Sequence, residues 1–330
     1  MTIFLAADIG ASKTDLALFN LAGPGLTPLF QSHLVNNDFS SPEALLAHFI
    51  SKSNYHPEQA CLAVAAVVRD GRAMMTNRSW HLEGQALTTS LKIRRVELIN
   101  DLTALAAALP VLSQADLITL QPGNTPVGKI GPQVRAVIAP GTGLGQGFFI
   151  DAPPFSLARG SEGGHASFAP INEFQHRLLQ WLQGKNKAVS VEQVCSGRGL
   201  PNLYLFCRAQ GTPSNSGLGQ EIAQARDQTP LIIQGALAAC PCCRQAVKLF
   251  LEILGAEAGN LALKLACDHG LFLGGGILPR LYGKISFAPL LAAFHNKDKM
   301  TDLLSSIPVH LITRKDAALL GAAAWGRSRP

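Results

Sequence analysis

The stretch TIFLAADIGASKTDLALF, residues 2–19, decides the fold. Residues 2–8 are an apolar run of strand length that ends on Asp8 and is bounded by Gly10, and a second alternating run covers residues 15–19. The link between them, with Gly10, Ser12 and Lys13, is too short for a helical crossover, so the two runs pair as an antiparallel hairpin. This sets a glycine and two hydroxyls, Ser12 and Thr14, in a turn at the end of a buried strand. Glycine allows the backbone to approach an anion closely, and exposed N–H groups and hydroxyls suit phosphate oxygens. Asp8 would repel phosphate but suits Mg²⁺ held through water, because Mg²⁺ keeps several waters. A plain hairpin turn explains the same residues, so this loop alone does not decide its use.

Working outward, Ser41-Pro42-Glu43 predicts a capped helix running to about Lys52. CLAVAAVV (61–68) reads as a central buried strand, Asp70-Gly71 as a hairpin turn, and RAMMTN (72–77) as the returning strand. A helix is expected over 81–91, a buried strand over 96–99 and an alanine-rich helix over 102–109. A second half begins near 111, with strands at 116–120, 135–139 and 147–150 around the turn PGTGLG (140–145). Helices follow at 173–183, 219–225 and 230–265, then a strand running into a glycine turn over 270–277 and a last strand at 309–312. Thr313, with Asp316 three residues on, predicts the cap of a closing helix that ends at Gly326. Near its start, each half therefore carries a strand, a glycine loop and a returning strand. The division expected is a small α/β domain of residues 1–111 plus 313–330 and a large α/β domain of residues 112–312.

Composition agrees with two packed domains: 330 residues, 47% hydrophobic and 15% charged. The net charge of +6 is dispersed, its densest points being pairs such as Arg94-Arg95 and Arg314-Lys315. With no arginine-rich run, a mildly basic enzyme that handles anions fits better than a nucleic-acid binder. No apolar run is long enough to span a membrane, and MTIFLAADIG lacks a basic leader, so a cytoplasmic location is the default. Seven cysteines, an odd number, suit a reducing compartment. Cys240-Pro-Cys-Cys243 has no second ligand pair at zinc spacing, so no structural zinc is expected.

Further residues carry chemistry only in combination. PGTGLG is not a dinucleotide fingerprint, because a strand follows it, and not a Walker loop, because no Gly-Lys-Ser/Thr follows. As a second glycine turn after the first strand of a half, it is suited to clamp a triphosphate together with the first. Asn100-Asp101 lies between a strand and a helix and reads either as a simple N-cap or as a general base for a hydroxyl. Glu162 and His165, in SEGGH, offer the mixture of donors and acceptors that a polyol needs, or form an exposed loop. Glu192 reads by itself as a surface helix residue.

Together DIGASKT, INDLTA (99–104), PGTGLG, EGGH (162–165), VEQVCSGRGL (191–200) and LGGGILPRL (273–281) resemble the bacterial glucokinases of the hexokinase/actin-like superfamily, from residue 3 to about 326. The resemblance implies an α/β, two-lobed actin-like/ribonuclease H-like ATPase fold with an interdomain cleft. It implies ATP and Mg²⁺, with Asp101 as catalytic base and Asn100, Asp101, Glu162, His165 and Glu192 as ligands of glucose. It also implies that Asp8, Gly10, Ala11, Ser12, Lys13 and Thr14, with Gly141, Thr142 and Gly143, hold the phosphates, that Gly274, Gly275 and Gly276 lie near the adenosine, and that a homodimer forms through the 230–265 helices. Three departures stand out. Ala11 replaces the usual second glycine, Lys13 adds a cation, and residues 65–67 lack the usual Gly-Pro. The zinc cluster of the related repressor/kinase family is absent, so His165 is not expected to bind metal. The other readings are a kinase for another hexose or an N-acetylhexosamine, a sugar-sensing regulator, for which no DNA-reading segment precedes the first strand, and an actin-like filament protein, which would have no use for Glu162, His165 and Glu192.

Overall fold

The computed structural model describes residues 2–23, 25–75, 79–124 and 131–329. Two compact units emerge: Met1–Asp116 with Gly147–Gly160 and Arg314–Pro330, and Leu117–Gln146 with Ser161–Thr313. Gly147–Gly160, expected in the larger domain, thus belongs with the first unit.

Along the chain, β1 (Ile3–Ile9), β2 (Lys13–Asn20) and β3 (Pro28–Val35) precede α1 (Pro42–Ser51) and β4 (Gln59–Val64). A small sheet of β5 (Val68–Arg69), β6 (Arg72–Met75) and β7 (Trp80–Glu83) leads to α2 (Gly84–Leu91), β8 (Arg95–Asn100) and α3 (Asp101–Ala108). Next come β9 (Leu117–Gln121), β10 (Gln133–Pro140), β11 (Leu144–Ala152) and β12 (Phe155–Ser161). The helices α4 (Glu173–Gln183), α5 (Leu200–Ala209), α6 (Ser216–Gln224), α7 (Thr229–Leu237) and α8 (Pro241–Lys264) follow. The chain ends with β13 (Leu271–Leu273), α9 (Leu278–Leu281), α10 (Ala288–His295), α11 (Thr301–Ser306), β14 (Val309–Ile312) and α12 (Ala317–Arg327).

The first sheet has the order β3-β2-β1-β4-β8 and the second β12-β11-β10-β13-β14-β9. Numbered from β1 in one and β10 in the other, both run third, second, first, fourth, fifth, with β9 added at an edge of the second. The repeat read from the glycine turns is therefore a repeat of topology. In the first sheet β1 lies antiparallel to β2, with Ile9 opposite Thr14, and parallel to β4. Its side chains alternate between two cores. Leu5 and Ile9 join Leu45, Phe49 and Leu62 on one face, while Phe4 and Ala6 join Leu319 and Ala323 of α12 on the other. A strand covered on both faces must be apolar throughout, as β1 is down to Asp8. Helix α12 lies so close to α3 that a Cβ at Gly321 would stand 1.8 Å from the Ala104 carbonyl oxygen.

Several expectations are corrected. The run 61–68 is not one strand: β4 stops at Val64 and the chain bends before Val68 joins the small sheet. Residues 76 and 77 of the expected 72–77 strand lie outside the described residues. The helix placed at 81–91 starts at Gly84, because Trp80–Glu83 pairs with β6 first. The single helix of 230–265 is two, separated where Ala239 takes φ 66° and Pro241 opens α8. Asp316, not Thr313, stands at the N-cap of α12, and it makes no side-chain cap because Arg314 holds its carboxylate at 2.9 and 3.1 Å.

Helix α8 is the spine of the second unit. Phe250, Leu254, Ala258 and Leu261 lie in its core, and Gly255 admits the Leu290 carbonyl, 2.0 Å from where a Cβ would be. Its exposed ridge is polar, with Arg244 and Lys248 open to solvent and Lys248 3.7 Å from Glu252. All seven cysteines are free and buried. Among the described residues no helix is long and apolar enough to cross a membrane.

Candidate active site

In the first unit the β1–β2 turn closes with the Gly10 N–H donating to the Lys13 carbonyl at 3.0 Å. Ala11, Ser12 and Lys13 are exposed. Ala11 is not among the residues with positive φ, so replacing the usual glycine costs no backbone strain here. Thr14 is a correction. It is fully buried, and its hydroxyl donates to Asn36 Oδ1 at 2.7 Å, so it faces away from any phosphate on the exposed side.

Asp8 sits opposite Asp15 in the β1–β2 register. Burial, then the negative charges of Asp101 and Asp15, push its carboxyl up to about 7. Asp8 and Asp101 therefore feel one another within this unit. Asp101 is the first residue of α3, where the helix N-terminus favours negative charge. The Leu102 N–H donates to Asp101 Oδ1 and to Asn100 Oδ1, both at 2.9 Å. Asn100 Nδ2 donates to the Ala66 carbonyl at 3.2 Å. Asn100 is thus first the cap that ends β8 and starts α3, and the cap fixes where Asp101 begins. Gly160 passes close by: its N–H donates to Thr103 Oγ1 at 2.9 Å, and a Cβ there would lie 2.6 Å from Asn100 Oδ1.

In the second unit three glycine segments pack together. The Gly141 carbonyl accepts from the Gly197 N–H at 2.7 Å, and the Thr142 carbonyl from the Arg198 N–H at 3.2 Å. Gly275, at φ 80°, lies against Pro140, whose carbonyl oxygen would be 2.3 Å from a Cβ. Beside them opens a cavity of about 460 Å³ lined by Gly141, Thr142, Arg198, Arg226, Gly276 and Arg280, among others. That volume suits a nucleotide-sized ligand, and three guanidinium groups suit an anionic one.

Glu192 borders the same turn. Its Oε2 accepts from the Leu144 N–H at 2.8 Å, and a Cβ at Gly143 would come within 2.4 Å of that oxygen. Gly163 and Gly164 press onto β11: Cβ atoms there would stand 2.1 Å from Gln146 Oε1 and 2.2 Å from the Leu144 carbonyl oxygen. Below, Gln146 Nε2 donates to buried Glu257 at 2.9 Å. Glu162 and His165 project from this seat, both exposed, with Oε2 and Nε2 3.9 Å apart. Residues 143–146 therefore gather Glu162, His165, Glu192 and the 141–143 turn into one constellation.

The glucokinase family model matches residues 5–329. The chain belongs to the glucokinase family. A glucokinase from Nostoc sp. is 37% identical over 341 residues, covering 98% of each chain. The solved structure of a glucokinase from an Antarctic psychrotroph has a TM-score of 0.85 at 30% identity, covering 98% of each chain. A family glucokinase of the ROK type from Streptomyces griseus, solved with glucose and AMPPNP, shares the fold with a TM-score of 0.62 at 18% identity, covering 97% of this chain and 98% of its own. The sequence reading of this family member missed Arg226, which sits in a turn with no local signature. It also missed Arg198 and Arg280, whose motifs drew attention only to their glycines. Asn36 and Gly160 carried no signal, because what they touch lies far away in sequence.

Proposed function

We propose that the chain transfers the terminal phosphoryl group of ATP to the 6-hydroxyl of glucose. The observation that carries this reading is Asp101, a carboxylate fixed at the first residue of α3 by the Asn100 cap and close enough to Asp8 to raise its pKa. Phosphoryl transfer depends mainly on positioning and charge neutralisation. Asp101 accepts the proton of the 6-hydroxyl as the new phosphorus–oxygen bond develops. Asn100, Glu162, His165 and Glu192 hold the other hydroxyls, and a site built of such groups rejects sugars that leave them unpaired. The backbone of 10–13, exposed from Ala11 to Lys13, and the 141–143 turn hold the phosphates, and the adenosine takes the cavity bordered by Gly276, next to Gly274 and Gly275.

Mg²⁺ fits the donor chemistry. Asp8 offers a hard oxygen donor; burial, then the charges of Asp101 and Asp15, push its carboxyl up to about 7, and a cation beside it would favour the charged form. Among the described residues no group of three or more His, Cys, Asp or Glu is gathered to hold a metal, so Asp8 would hold the ion together with phosphate oxygens and water. When bound, Mg²⁺ supplies charge neutralisation at the phosphates. We place the protein in the cytoplasm on the strength of its seven free, buried thiols, which suit a reducing compartment.

The test is a coupled assay of glucose, mannose, fructose and N-acetylglucosamine with ATP and Mg²⁺, run on wild type and Asp101→Ala. Glucose is expected to be the preferred acceptor. The variant is expected to lose about 10²–10⁴-fold in kcat while calorimetry still shows glucose binding. Wild-type turnover in the variant, or preference for another sugar, refutes the reading.

A further inference from the structure

Asn36 belongs to none of the motifs, yet the phosphate turn is built on it. It follows β3 as the first residue of the short turn Asn36–Asp38 and is 0% exposed. Its polar groups reach three alternate residues of the β1–β2 turn. Nδ2 donates to the Gly10 carbonyl at 2.9 Å, the backbone N–H donates to the Ser12 carbonyl at 2.9 Å, and Oδ1 accepts from the Thr14 hydroxyl at 2.7 Å. The β2–β3 register, with Lys13 opposite Val35, brings Asn36 to this place.

The consequence follows from the planarity of the peptide unit. In a trans peptide the N–H points opposite to the preceding C=O. Drawing the Gly10 and Ser12 carbonyls toward Asn36 turns the N–H groups of Ala11 and Lys13 away from the buried side. It also removes from the anion side two carbonyl dipoles that would repel phosphate. Only a residue that donates and accepts through one planar side chain does this at both Gly10 and Thr14.

We propose that Asn36 is a positioning residue for the nucleotide, holding the Gly10–Thr14 turn from beneath so that its N–H groups face the phosphates. This rests on the reading of that turn as a phosphate site, and the two can fail separately. Steady-state kinetics with ATP and glucose varied in turn, with calorimetric glucose binding in the absence of nucleotide, would be measured for Ser12→Asp, Asn36→Ala, Asn36→Asp and Thr14→Val. Ser12→Asp places a negative charge in the turn and tests the site itself; if KM for ATP does not rise, the turn does not hold phosphates. Given that rise, Asn36→Ala is expected to raise KM for ATP about tenfold, the equilibrium equivalent of one buried hydrogen bond, with glucose affinity within about twofold of wild type. Asn36→Asp keeps an acceptor for Thr14 but buries a carboxylate against the Gly10 carbonyl, so it is expected to raise KM for ATP at least as much as Asn36→Ala. Thr14→Val, nearly isosteric, is expected to move KM for ATP in the same direction by a smaller factor, and it decides the matter if the Asn36 variants do not fold. An unchanged KM for ATP in Asn36→Ala, or in Thr14→Val where that variant decides, overturns the proposal, and so does an equal loss for ATP and glucose.

Discussion

The carboxyl of Asp8 gives the fold a pH signature that can be measured without any ligand. In the unfolded chain it titrates near 3.8, and in the native protein burial and the charges of Asp101 and Asp15 carry it to about 7. Between these values the native state holds more protons than the unfolded state, so stability falls as pH rises. The slope from this group is about 1.4 kcal/mol per pH unit, and the whole window is worth about 4 kcal/mol. Asp8→Asn removes the titration. The difference in unfolding free energy, variant minus wild type, is therefore expected to grow from pH 4 to pH 7 and to level off above. Urea unfolding in EDTA-containing buffers, one pH unit apart, reads it directly. Asp101→Asn is expected to narrow the pH window over which stability falls, because it removes one of the charges that raise Asp8. With Mg²⁺ and an ATP analogue at pH 6.5, binding is expected to release protons, measurable by calorimetry in buffers of different ionisation enthalpy. Parallel stability profiles for wild type and Asp8→Asn would refute the reasoning.

Glu192 is expected to separate two effects. Glu192→Gln keeps an oxygen for the Leu144 N–H, found at 2.8 Å, and is expected to raise KM for glucose more than KM for ATP; Glu192→Ala also removes the strut beside the 141–143 turn and is expected to raise both. In the first unit Gly321→Ala sets a methyl 1.8 Å from the Ala104 carbonyl oxygen. It is expected to destabilise the fold by about 1–3 kcal/mol or more, seen as a lower Tm.

What the sequence made legible was whatever repeats locally or needs glycine. The β1–β2 hairpin, the capped start of α1 and the buried run of β4 follow from periodicity and end signals, and the two glycine turns fixed the duplicated topology. The strand β3 was not read, because it is half-exposed in alternation, opens with Pro28 and sits at a sheet edge. The 81–91 segment was misjudged because its first residues form a strand only by pairing with β6, a partner that local propensity does not report. Asp101 was legible as an N-terminal carboxylate on a helix. The burial of Thr14 was not, because it depends on Asn36, 22 residues away.

The short run Gly143–Gln146 has a consequence for anyone redesigning this enzyme. Leu144 offers its N–H to Glu192 and its carbonyl oxygen to the Gly164 seat, while Gln146 lies under Gly163. Side chains along a strand alternate in direction, so inserting or deleting one residue here would invert Leu144 and Gln146 and displace the 162–165 segment, Glu192 and the 141–143 turn together. Changes of acceptor are better sought by substitution at Glu162 and His165, which leave this shared foundation in place.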